Sequence, residues 1–241
     1  PIDQKRFEQK NREERIDFRK RTYAEGIPSD AFVLGWSGRN QFRKQNHIMW
    51  ELMHYLVHGD YIKCEDCEKI TAKEYDHASR KSRAVGDLMM YDHDYDYTHC
   101  WHCNSKNVKE GKPINDIYLW FHMNKSDPGY KAGLHSALWK VDHRCVYTNG
   151  LNSSKGLPPK MVADLYASWD AMLYLSGGEG FGIPAFEAMA CGVPVIYTNY
   201  SSHRDFCKHG GVPVNVRYIP ELTFAINRSL ADINDAIKKV L

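Results

Sequence analysis

Two groups of residues in this chain have the types and spacing to do chemistry. The first lies in Ser176-Gly177-Gly178-Glu179-Gly180-Phe181-Gly182-Ile183-Pro184-Ala185-Phe186-Glu187. Glycines let backbone come close to a ligand and expose N–H groups, and a helix starting near Pro184 adds partial positive charge. Both features suit a phosphate. A carboxylate beside a phosphate is repulsive unless it has another task, and Glu179 and Glu187 could accept hydrogen bonds from sugar hydroxyls. Arg39, Arg43 and Lys44 supply cations in a second turn. Each feature alone has a plain explanation: a glycine run is a turn, an exposed cation is solvated, and Glu187 gains about 0.3–1 kcal/mol from the helix dipole. Their value lies in whether the fold brings them together. The second group is Cys64-Glu-Asp-Cys67 and Cys100-Trp-His-Cys103. Two such knuckles can offer four thiolates to one tetrahedral zinc, and the cost of closing the long loop between them rises slowly with its length. A redox dithiol or unligated core cysteines are the competing readings, and His99 or His102 could replace one thiolate.

The elements that must position these residues follow from pattern. Residues 31–36 read as a buried strand, 37–40 as a turn, and 43–58 as a helix with apolar positions Ile48, Met49, Leu52, Met53, Leu56 and Val57. Strands over 116–123, 144–147, 171–175 and 193–197 then alternate with helices over 133–140, 158–169 and 184–190. This rhythm predicts an α/β protein with a doubly wound, Rossmann-like parallel sheet. If the strand order is 3-2-1-4-5, the turn after the first strand and the glycine loop after the fourth meet at one crevice. Cations would there face a glycine cradle and two glutamates, an arrangement suited to a nucleotide diphosphate bearing a sugar. Residues 60–112 break the rhythm and read as an inserted zinc-binding module between 1–59 and 113–241. Residues 4–23, dense in charge, read as a solvated surface helix. The run 91–97 lacks the ligand spacing of a calcium loop.

Composition narrows the class. The chain has 241 residues, 43% hydrophobic and 26% charged, enough for a real core and unlike a disordered tail or a fibre. No apolar run approaches the roughly 20 residues of a membrane helix. With 32 basic and 30 acidic residues the net charge is +2, and residues 60–112 hold 9 basic against 11 acidic, so nucleic-acid binding is not expected. Seven cysteines, an odd number with three standing alone, and no signal peptide point to a reducing, cytoplasmic setting. The first residue is Pro1, which points to a fragment or a processed chain.

The stretch EGFGIPAFEAMACGVPVI resembles the E-x7-E signature of family 4 retaining glycosyltransferases, with Glu179 and Glu187 at its two glutamates. SGRNQFRK resembles that family's phosphate-binding stretch, with Arg39 and Lys44 as the matching cations, and Ile2-Asp3 with Phe7 resembles the segment after its interdomain hinge. The resemblance spans roughly residues 1–58 and 114–216. It implies a GT-B fold of which this chain is the C-terminal, donor-binding half, needing an N-terminal domain that carries the acceptor site. By that analogy Glu187 binds ribose hydroxyls, Glu179 contacts the donor sugar, and amides around Gly178, Gly180, Phe181 and Gly182 hold sugar or phosphate. Arg39 and Lys44 neutralise the diphosphate without a divalent metal, and base contacts fall near Thr148 to Gly150. The acceptor would be a sugar, lipid or protein. Two other readings stand beside it: a different GT-B-fold nucleotide-sugar enzyme such as an epimerase, and a non-catalytic zinc-containing interaction module on a degenerate transferase domain. Retention of both glutamates, Arg39 and Lys44 argues against degeneracy.

Overall fold

The computed structural model describes residues 2–3, 5–21, 26–73, 97–148, 156–221 and 226–241. Six strands, β1 (Phe32–Ser37), β5 (Ile117–His122), β6 (Cys145–Tyr147), β7 (Ala171–Tyr174), β8 (Val195–Thr198) and β9 (Gly211–Val214), form one sheet in the order β6-β5-β1-β7-β8-β9. Every pairing in it is parallel. The chain builds outward from β1 through β5 to β6, then crosses back to β7 on the other side of β1. The strand order therefore reverses between β1 and β7, where such sheets open a crevice at their carboxyl ends.

Parallel strands covered on both faces should be apolar throughout, and β7 and β8 are buried along their whole length. Helices α2 (Asn46–His58), α3 (Ala132–Leu138) and α7 (Ile233–Val240) pack one core around Leu34, Trp36, Leu119 and Leu173. Helices α4 (Pro159–Ala167) and α5 (Ile183–Ala190) pack a second core with Val33, Trp120, Trp169 and Met172. Gly35 permits this second layer, because a Cβ there would lie 1.7 Å from the Trp169 ring.

Helix α1 (Arg12–Arg21) corrects the expectation for residues 4–23. It is shorter, starting after Asn11, whose side chain accepts from Glu14 N while Asn11 N donates to the Glu14 carboxylate. It is also not simply solvated. Arg19 is 5% exposed. Its guanidinium donates to the carbonyls of Ser168 and Ala31 and to Asp170, which also accepts from Arg15 and from Val33 N. A guanidinium is buried where a carboxylate and carbonyls satisfy its donors, which a charge count cannot reveal. Phe7 is buried too, stacked on Tyr166.

Beyond Thr198 the structure adds elements for which the sequence pattern gave no expectation: α6 (Ser201–Phe206), β9, a hairpin of β10 (Val216–Glu221) and β11 (Ile226–Ala231), and α7. Asp232 caps α7 by accepting from Asn234 N and Asp235 N.

Within 60–112, β2 (Tyr61–Cys64), β3 (Ile70–Ala72) and β4 (Val108–Glu110) form an antiparallel sheet in the order β3-β2-β4. It does not stand apart from the main body. Tyr61 and Ile70 join the α2–α7 core, Ala72 N donates to Asn234 Oδ1, and Lys238 donates to the carbonyl of Glu68. Of the run 91–97, only Tyr97 lies within the described residues.

Candidate functional site

The turn after β1 and the loop after β7 do meet. Lys44 ends a 3-10 turn (Phe42–Lys44) and is 6% exposed. Its ammonium pairs with Glu179 Oε1, and Arg43 Nη1 pairs with Oε2 of the same carboxylate at 3.1 Å. Ser176 Oγ donates to Oε1 at 2.9 Å. Both carboxylate oxygens are therefore oriented. Burial alone would raise the Glu179 carboxyl, but Lys44, Ser176 and Arg43 together hold it below the usual carboxylate range. Burial pulls the Lys44 ammonium down, and Glu179 pulls it back. The outcome is an ion pair with both side chains 8% exposed, at the carboxyl ends of β1 and β7.

The glycines have separate tasks. Gly177 lets the two loops touch, since a Cβ there would lie 2.4 Å from Gln45 Nε2 and 3.2 Å from the Arg43 carbonyl. Gly182 caps α5 at φ +86°, which side-chain-bearing residues rarely adopt. Gly178 and Gly180 face open space, with nothing nearer than 4.0 Å to a Cβ at either. That space is where a ligand could reach the loop's amides and the start of α5.

Beneath the loop, Thr198 Oγ1 donates to the Ser176 carbonyl at 2.6 Å and therefore accepts from His203 Nδ1 at 3.1 Å. His203 is fully buried, and burial pushes its imidazole down to about 4, so it is neutral. Ser201 Oγ donates to the Glu179 carbonyl at 2.9 Å. None of Thr198, Ser201 or His203 stands out in the sequence, because Thr198 and Ser201 act on a loop 22 residues earlier and His203 acts through Thr198.

Glu187 sits on α5, half-buried, and burial raises its carboxyl above the usual range, with Tyr166 as hydrogen-bond donor and Arg6 pulling the other way. The Tyr166 hydroxyl also lies 2.8 Å from Oγ of Ser37, the last residue of β1. Phe181 is exposed and its ring packs 4.9 Å from those of Phe186 and Phe206. Arg39 is placed differently from Lys44. It faces solvent and pairs with Asp127 at 3.4 Å, on the rim. Thr148 Oγ1 is held by Trp120 Nε1 and lies 3.2 Å from His122 Nδ1, while Asn149 and Gly150 are outside the described residues.

The four cysteines also converge. The Sγ atoms of Cys64, Cys67, Cys100 and Cys103 all lie within 4.8 Å of one another, with Cys64–Cys103 and Cys67–Cys100 at 3.6 Å. Tetrahedral zinc with 2.3 Å bonds would set sulfurs about 3.8 Å apart, so the donor set fits. The two knuckles share one geometry. The residue after each second cysteine, Glu68 and Asn104, has positive φ (57° and 60°). In each, the first cysteine's N–H closes the turn, Cys64 on Lys69 O and Cys100 on Ser105 O. Burial would raise the Cys100 thiol, but the N–H groups of His102 and Cys103 together with the Cys67 and Cys103 thiols bring it to about 7. Asp66 accepts from Ser105 and Asn107, linking one knuckle to the other. Neither His99 nor His102 enters the cluster.

Residues 147–241 match the family model described as glycosyl transferases group 1. The matched stretch is less than half of the chain, and the six-stranded parallel sheet with its flanking helices has an α/β, GT-B-like architecture. Among curated relatives, the O-antigen chain mannosyltransferase B of Escherichia coli is 30% identical over 104 residues, 43% of this chain and 27% of that protein. The N-acetyl-alpha-D-glucosaminyl L-malate synthase of Bacillus anthracis is 49% identical over 49 residues, 20% of this chain and 13% of that one. The match thus spans about a quarter of the first relative and less of the second. Among solved structures, the sucrose-phosphate synthase of Thermosynechococcus elongatus aligns with TM-score 0.56 at 16% identity over 99% of this chain and 40% of its own. The C-terminal domain of a glycosyl transferase group 1 family protein from Francisella tularensis aligns with TM-score 0.51 at 16% identity over 89% and 80%. Anabaena HepE, solved in complex with UDP-glucose, aligns with TM-score 0.52 at 14% identity over 89% and 42%. These distant structures speak for the fold. No helix among the described residues is long and apolar enough to cross a membrane.

Proposed function

We propose that this chain is the donor-binding half of a retaining glycosyltransferase and takes a nucleotide-diphosphate sugar. The observation that carries the reading is the meeting of Lys44 and Glu179 across the crevice, beneath a glycine loop whose open face leads to a helix N-terminus. Anion-binding and hydroxyl-binding groups then stand within one small site. UDP-glucose in the structural neighbour HepE, and sugar transfer in the name of the E. coli relative, support the same ligand class.

In this reading Glu179 accepts from the donor sugar's hydroxyls and Glu187 from the ribose. Amides at Gly178 and from Gly180 through Phe181 to Gly182 hold the phosphates, with Lys44 inside the crevice and Arg39 at its rim. As the glycosidic bond breaks, its electron pair passes to the leaving phosphate oxygen. Negative charge grows there, so fixed cations and amides stabilise the transition state more than the ground state. Retention requires the acceptor hydroxyl to attack from the face the phosphate leaves, and a phosphate oxygen can take its proton. The acceptor site belongs to an N-terminal domain in the full protein. The chain divides into a Rossmann-like domain (1–59 and 113–241) and an inserted module (60–112) in which Cys64, Cys67, Cys100 and Cys103 hold one structural zinc, a site that suits a reducing, cytoplasmic compartment. Zinc there supplies a cross-link and no reaction chemistry.

Calorimetry with UDP-, GDP- and ADP-sugars tests the reading. One of them binds, Glu187→Ala weakens it, and the isolated chain transfers little sugar. Binding of none would favour a non-catalytic interaction module instead.

A further inference from the structure

Arg43 is not one of the cations matched to the phosphate-binding stretch, yet it makes more hydrogen bonds to the glycine loop than either of them. Its carbonyl accepts from Gly177 N at 2.9 Å and lies 3.3 Å from Ser176 Oγ. Its Nη1 donates to the Gly178 carbonyl and to Glu179 Oε2, both at 3.1 Å. Backbone and side chain of one residue therefore grip consecutive residues of the loop. Lys44 and Ser176 occupy Oε1, so Arg43 is what holds Oε2 and sets the rotation of the carboxylate about its last bond.

We infer that Arg43 is a positioning residue for sugar recognition: it aims the Glu179 carboxylate at the donor's sugar hydroxyls and fixes the loop backbone beside it. The inference rests on the donor reading above and adds to it a division of labour among adjacent cations. Both bonds leave one nitrogen, Nη1, whose two N–H groups serve the Glu179 carboxylate and the neighbouring Gly178 carbonyl together. Because its side chain is 55% exposed, the effect on affinity is moderate.

The test compares each nucleotide sugar with its sugar-free diphosphate: UDP-glucose with UDP, GDP-mannose with GDP, ADP-glucose with ADP. For the pair that binds wild type, Arg43→Ala should weaken the nucleotide sugar roughly fivefold and the bare diphosphate less than about twofold. Arg43→Lys should recover part of the loss and guards against misfolding of the alanine variant. In a Glu179→Gln background, Arg43→Ala should add little, because the two act as one unit. Equal weakening of both ligands would make Arg43 a phosphate contact and overturn the inference while leaving the donor reading intact. No change in either ligand would also overturn it. Failure of wild type to bind either ligand would sink the donor reading, and this inference with it.

Discussion

The cysteine module and the glycine-loop crevice solve opposite problems. In the module, four donor atoms converge on one another, their backbone turns are closed, and Asp66 ties the knuckles together. Its groups are already satisfied or need only one ion. In the crevice, Gly178 and Gly180 face open space, and the Lys44–Glu179 pair is held at the edge of that space. Its groups are poised toward something larger. A closed donor set is what a structural cross-link needs, and an oriented but open one is what recognition needs.

The largest expected effect comes from breaking the closed site. Chelating the zinc, or Cys100→Ser, should melt the β3-β2-β4 sheet and loosen α7, which leans on it through Asn234 and Lys238. Structural zinc sites contribute on the order of 10 kcal/mol of apparent binding energy, so a large fall in Tm is expected. Elemental analysis should find about one zinc per chain, and none in protein purified without chelator would remove the metal claim.

Next is Gly35→Ala. The added methyl overlaps the Trp169 ring, so overpacking should cost about 3 kcal/mol, read as a lower denaturation midpoint. An unchanged midpoint would mean the second core is looser than described. Glu179→Ala should follow. It leaves the buried Lys44 ammonium without its partner, and should abolish measurable nucleotide-sugar binding while lowering stability by about 1–3 kcal/mol. Binding at wild-type strength would separate this carboxylate from the ligand.

The smallest effect distinguishes the two glutamates by sign. Glu179 is held below its ordinary range, so it contributes stability above the unfolded-state value and loses it as pH falls through the folded one. Glu187 is raised, so the folded state holds its proton more tightly, and stability falls as pH rises through that window. At neutral pH Glu187→Gln should therefore be neutral or slightly stabilising while weakening nucleotide binding. A destabilised Glu187→Gln protein would contradict this.

How much of this could be read from residues alone follows the same divide. The knuckles were legible because their donors are sequence neighbours. The alternation of strands and helices predicts the parallel sheet, and the order 3-2-1-4-5 assumed for its strands is the one the structure has, with the reversal between β1 and β7. What stayed hidden depends on long-range contacts. Arg19 resembles its charged neighbours until Asp170 is seen beside it, and Arg43 cannot be ranked against Arg39 and Lys44 without the loop it grips. Strand β9, Gly211–Val214, is four residues with a glycine and a proline, too short for a period. Thr198 and His203 support the loop only through tertiary proximity.

The most direct test of the central claim is a crystal structure of this chain with its nucleotide sugar bound. The account predicts phosphate oxygens within hydrogen-bonding distance of Lys44 and the amides at 180–182, and the sugar against Glu179. A nucleotide seated anywhere else on the sheet, with the Lys44–Glu179 crevice vacant, would contradict it.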